Sequence, residues 1–172
     1  MNRRRNILSL SILTGFGLAL LPASAVSQPK SLKDQLVGTW NIVSWERTAP
    51  DGTKIHTFGT NPKGINYFGP DGRFFIMWAR PDLPKLSSND RTKAPIEEIK
   101  TVYLGTLAYF GTYTVDEASK TITYRIETTT FPNQLGVQQK RVISSITADD
   151  LKYQNPTSTP GGQIEITLKR AK

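Results

Sequence analysis

The spacing of turns constrains this chain more than any other feature. From Gly38 to Arg170, strand-forming runs are interrupted about every 8–12 residues by Pro, Gly, Asn or Asp. Pro50-Asp51-Gly52 and Gly69-Pro70-Asp71-Gly72 are the strongest signals. In each, proline presets φ, aspartate can bond to its own backbone, and glycine accepts a positive φ. The runs between turns are Thr39–Thr48, Lys54–Phe58, Ile65–Phe68, Arg73–Ala79, Tyr109–Val115, Thr121–Thr130, Val137–Thr147, Leu151–Gln154 and Gln163–Arg170. They are rich in Trp, Ile, Val, Thr and Tyr. About nine strands at hairpin spacing predict an all-β fold, a sandwich or a barrel.

Two segments depart from that rhythm. Residues 80–94 hold two prolines and no periodicity, which predicts a long loop of the kind that covers or lines a site. A short helix follows. Pro95 suits its first position, Glu97 and Glu98 its first turn, and Gly105 its end. Ile96, Ile99, Tyr103 and Leu107 fall near one helical face, so the helix is expected to persist by packing on the sheet. A helical turn is also expected over Ser31–Val37, with Ser31 as its N-cap and Asp34 near the positive end of its dipole.

The N-terminus reads as an export address. Arg3, Arg4 and Arg5 precede an apolar run, Ile7–Leu21, too short for the ~20 residues of a spanning helix. Pro22 and Ala23-Ser24-Ala25 end it, which predicts a signal peptide over 1–25 cut after Ala25. Arg4-Arg5 also fits a twin-arginine signal. Residues 26–35 then form a leader, and 36–172 the single domain. No cysteine follows the cut, so no lipid anchor is expected.

Composition narrows the chemistry. The chain has no Cys and one His, His56, beside a turn. This excludes disulfides, thiolate metal sites, a thiol nucleophile and a multi-histidine metal centre. No G-x-S-x-G, P-loop or G-x-G-x-x-G motif is present, and no cofactor is implied. The formal net charge is +8, but three of those charges lie in the address. The rest are scattered, which argues against a nucleic-acid partner.

Gly38-Thr39-Trp40, after a short helical turn, is how lipocalin-type barrels begin. With it come Pro70-Asp71-Gly72-Arg73, Tyr109-Phe110-Gly111-Thr112-Tyr113 and Phe131-Pro132-Asn133-x-x-Gly136-x-x-Gln139-x-Arg141. In this order the chain resembles the lipocalin-like domain family over about residues 36–170. Tyr124 is a departure, since members often carry His there. The resemblance implies an antiparallel barrel of about 8–10 strands with one short helix. It also implies that Arg170 of the last strand closes over Trp40 of the first. Gly38, Trp40 and Arg170 are therefore expected to be structural.

Strand alternation supplies the other candidates. If Ile143 and Val115 face inward, so do Arg141, Gln139, Tyr109 and Tyr113. Strict alternation also sets Glu46 on the face of Trp40, Ile42 and Ser44. A buried arginine cannot shed its charge and must be held by acceptors. Either Arg141 pairs with Glu46 as a structural bridge, or it anchors an anionic ligand at the base of an apolar pocket. Trp78, among Tyr67, Phe75 and Tyr103, could be core or pocket wall. These residues predict an exported barrel that binds a small apolar or amphipathic molecule. A barrel enzyme using acid–base chemistry, or a filled barrel acting as an interaction module, are the alternatives. Sequencing the N-terminus of the exported protein is expected to return Val26 as its first residue; a chain still starting at Met1 would remove the export reading.

Overall fold

The computed structural model describes residues 30–156 and 161–172. The signal expected over 1–25 lies outside them, as do residues 26–29 of the leader. The chain begins with α1 (Leu32–Leu36) and continues through β1 (Gly38–Thr48), β2 (Lys54–Ile55), β3 (Lys63–Phe68) and β4 (Arg73–Ala79). Next come α2 (Ile96–Leu104), β5 (Thr106–Asp116), β6 (Thr121–Thr129) and a 3-10 turn (Pro132–Gln134). It ends with β7 (Gln138–Ile146), β8 (Asp150–Asn155) and β9 (Gln163–Arg170). All pairings are antiparallel, in the order β2-β1-β3-β4-β5-β6-β7-β8-β9, and β9 returns to pair with β1. The result is a closed eight-stranded barrel with β2 as an extra strand on β1. Closure leaves the barrel strands no open edge.

Inward side chains follow the alternation of each strand until a bulge resets it. In β1 the register against β9 shifts between Ile42 and Ser44, leaving Val43 as the extra residue. Trp40 and Ile42 point inward before the bulge; after it, Trp45 and Arg47 oppose the buried Ile166 and Ile164. A similar shift lies between Ile143 and Ser145 of β7, and another in β6, where Glu127 is the extra residue opposite Phe110 and Gly111 of β5. Such insertions bend the strands enough to close a small barrel.

One end of the barrel is sealed by α1. Leu32 and Leu36 are buried there. The Ser31 hydroxyl accepts from Asp34 N–H, and the Glu117 carboxylate accepts from the N–H groups of Leu32 and Lys33. At the other end of α1, Arg170 donates to the carbonyls of Gln35 (2.7 Å) and Val37 (2.9 Å). Its guanidinium carbon lies 4.0 Å from the Trp40 ring centroid, and Trp40 Nε1 donates to Leu36 O at 2.8 Å. The expected Trp40–Arg170 contact is present, and it ties three elements together. Gly38 makes room for it: its φ is +126°, and a Cβ there would stand 3.0 Å from Arg170 Nη1.

Two expected elements differ. The strand expected over Lys54–Phe58 ends at Ile55, because His56 O and Gly59 N–H close a turn. Phe58 instead turns inward, edge-on to Trp45 and Trp78. Helix α2 was expected to pack on the sheet, yet none of its residues is buried. Leu107, placed on its face by helical spacing, belongs to β5 and points toward the interior.

Trp40→Ala removes a buried ring, a hydrogen bond and the cation–π contact, a loss of about 3–5 kcal/mol. At ~2–4 °C per kcal/mol for a chain of this size, calorimetry should show the melting temperature falling by about 10 °C. An unchanged transition would contradict the closing role.

Candidate functional site

The barrel is filled at the α1 end and hollow at the other. Leu36, Trp40, Phe68, Ile122 and Leu168, all fully buried, pack the closed half. A cavity of about 380 Å³ occupies the open half, bounded by Trp45 (β1), Trp78 (β4), Leu107 and Tyr109 (β5), and Ile164 and Ile166 (β9). Gln134, Val137, Gln139 and Arg141 complete its wall from the β6–β7 side. Aromatic rings form a continuous chain beneath it. Trp45 meets Phe58, Phe58 meets Trp78, Trp78 meets Tyr109, and Tyr109 meets Phe74 and Tyr124, mostly edge-on.

Arg141 sits at the polar side of this cavity. β7 alternates as expected, so Arg141 and Gln139 face inward with Ile143. Arg141 is only 6% exposed. Its Nη2 donates to Gln139 Oε1 at 2.6 Å and its Nη1 to Lys140 O at 2.8 Å. Its guanidinium carbon lies 5.7 Å from the Tyr124 ring centroid. Nε has no hydrogen-bond partner, and Arg141 makes no salt bridge among the described residues. A buried cation held by neutral acceptors and one π face is under-compensated, and its cost falls when an anion arrives.

Glu46 does not supply that anion. The bulge at Val43 turns it to the outer surface, opposite Glu165. There it pairs with Lys54 Nζ at 2.7 Å and lies 3.8 Å from His56 Nε2. Trp45 takes the inward position that strict alternation assigned to Glu46. The structural bridge between Arg141 and Glu46 is therefore absent.

Tyr113 is also displaced from the site. It faces inward, but its hydroxyl donates to Gly69 O at 2.9 Å and its ring meets Phe68 in the closed half. Tyr109 lies four residues away, about 13 Å along the strand, and it lines the cavity. Trp78 contributes a ring face to the wall, while its Nε1 is committed to Asn66 Oδ1 at 2.7 Å.

Three buried polar residues that alternation alone did not single out pack in the core behind the cavity's lining. Asn66 is fully buried and bridges Trp78 to the Tyr153 hydroxyl, to which its Nδ2 donates at 2.8 Å. The Tyr124 hydroxyl, also buried, has no hydrogen-bond partner. Burial pushes the phenols of Tyr109, Tyr124 and Tyr153 up from their ordinary value, and the crowding of Tyr124 by Tyr153 and Tyr109 adds to the effect there. Tyr113 is pushed up to about 12 by burial and then by nearby Asp71.

A family profile described as a lipocalin-like domain matches residues 37–171. No curated protein matches the chain. Among solved structures, a lipocalin-like protein from Bacteroides uniformis is similar at 13% identity and a TM-score of 0.43, over 80% of this chain and 99% of that one. A redesigned β-barrel is similar at 15% identity and a TM-score of 0.43, over 82% of this chain and 96% of that one.

The raised phenols have a consequence for pH. Above pH ~10 the unfolded chain releases tyrosine protons that the folded chain keeps, so stability falls as pH rises. Each of Tyr109, Tyr113, Tyr124 and Tyr153 should remove up to ~1.4 kcal/mol per pH unit in that range. Absorbance titration is expected to show these phenols ionising only as the barrel unfolds. Reversible ionisation of all the tyrosines in the folded state would contradict this.

Proposed function

The chain belongs to the lipocalin-like domain family, and on that premise we propose that it is an exported receptor for one small amphipathic molecule with an anionic head. Barrels of about eight strands have room for a single small ligand. The cavity of about 380 Å³ suits a molecule of that class. Its wall divides by chemistry. Trp45, Leu107, Ile164 and Ile166 offer apolar surface for a tail, while Arg141 and Gln139 offer donors to a head. The N-terminal Arg3–Arg5, the apolar run and Ala23-Ser24-Ala25 support export to the periplasm or beyond.

The observation that carries the reading is the Arg141 guanidinium. It is buried at the cavity, its Nε is unpartnered, and its nearest acceptors are neutral. A carboxylate reaching it would supply the missing counter-charge and gain charge-assisted hydrogen bonds. Tyr109 adds a phenol at the same wall. Because burial raises that phenol's pKa, it serves a bound head as a hydrogen-bond donor and not as a proton source near neutrality.

Laurate and uncharged 1-dodecanol share a chain length and differ in the head. Calorimetric titration is expected to show laurate binding at least ~tenfold more tightly, the size of a charged hydrogen bond. Arg141→Met should erase that preference, and Gln139→Leu should reduce it without unfolding the barrel. Equal affinity for the two probes in the unaltered protein would contradict the anionic-head reading.

A further inference from the structure

The rim of the cavity is apolar where nothing covers it. In α2, Ile96 is 72% and Leu104 61% exposed, with Tyr103 close to half exposed. Phe131, Leu135 and Val137 of the β6–β7 loop are exposed as well. A shallow groove of about 270 Å³, walled by Leu86, Ile99, Val102 and Thr130, joins the helix to that loop. Val137 carries the surface on into the cavity wall. Large apolar side chains gathered on one rim and continuous with a binding cavity mark a contact surface.

Charge separates the two ends of the barrel. The rim segments 49–63, 80–105 and 130–140 hold eight Lys or Arg against five Asp or Glu. The closed-end segments 30–37, 69–73, 116–121, 147–150 and 170–172 hold six against six. On the rim, Lys54, Arg80, Lys93 and Lys100 pair with acids, while Lys63, Lys85, Arg91 and Lys140 make no ion pair among the described residues. Lys30, where the described chain begins, lies at the opposite end beside α1.

We propose that this rim docks reversibly on an anionic lipid bilayer, with α2 and the β6–β7 loop entering the interface. An exposed amphipathic helix combined with unpaired cations binds such surfaces through buried apolar area and attraction to acidic headgroups. A second copy of the chain would also cover the apolar side chains, but it would bring like charge to like charge. Docked this way, the cavity opens toward the layer in which an amphipathic ligand partitions. The docking itself does not depend on what the cavity holds, and its test adds no ligand, so either reading can fail alone.

The test is co-sedimentation of the processed chain, residues 26–172, which hold the whole barrel, with phosphatidylglycerol-rich vesicles. Binding is expected at low salt, about tenfold stronger than to pure phosphatidylcholine, and it should weaken as salt is added. Ile96→Ser combined with Leu104→Ser changes only exposed positions, and it should lower binding about tenfold with the melting temperature unchanged. Lys85→Ser combined with Arg91→Ser should abolish the preference for anionic lipid. Absence of vesicle binding, or undiminished binding by the first double variant, would overturn the proposal. A dimer in sedimentation velocity that this variant dissolves, without vesicle binding, would overturn it in favour of a second copy.

Discussion

Pairing of the first strand with the last governs everything else in this molecule. Once β9 hydrogen-bonds to β1, the eight strands have no edge, and the interior can be reached only from the two ends. Closure in so small a barrel demands local bending, which the bulges at Val43, Glu127 and Ser144 supply. Each bulge also resets which side chains look inward. The insertion at Val43 sends Trp45 to the cavity and Glu46 to solvent, and with that single residue the interior loses the carboxylate that would have neutralised Arg141.

The closed end and the open end do opposite work. Arg170 meets its charge with helix-end carbonyls and a tryptophan face, so it seals α1 against the barrel. Arg141 has fewer acceptors, a more distant ring and a cavity beside it. Two arginines on the same sheet thus differ in how fully each is satisfied, and the binding role proposed for Arg141 rests on that difference. Burying an unpaired charge costs stability, and an anionic ligand would offset that cost at Arg141.

The contrast between β1 and β7 explains how much could be read beforehand. In β7 the bulge lies beyond Arg141, so alternation from Ile143 correctly brought Arg141 and Gln139 inside. In β1 it lies between Trp40 and Glu46, and the same rule failed. Turn chemistry located most strands because Pro, Gly and Asp act locally; packing and depth are not local. Tyr109 and Tyr113 share a face, and alternation says nothing about which end of the barrel each occupies. Asn66 left a faint signal, a polar residue between Gly64 and Phe68 on an inward face. Its role emerges only when β4 and β8 bring Trp78 and Tyr153 to it. The apolar face of α2 was visible in the sequence, but its exposure was not, since helical spacing cannot tell a packed face from an open one.

The central claim is that the cavity beside Arg141 holds a small anionic amphiphile. Native mass spectrometry of the protein taken from the exported fraction of its own host tests this most directly. The account predicts a population heavier than the processed chain by one acidic, chloroform-soluble molecule, and its loss from Arg141→Met protein prepared in the same way. The bare-chain mass alone, or a retained molecule with no acidic group, would contradict it.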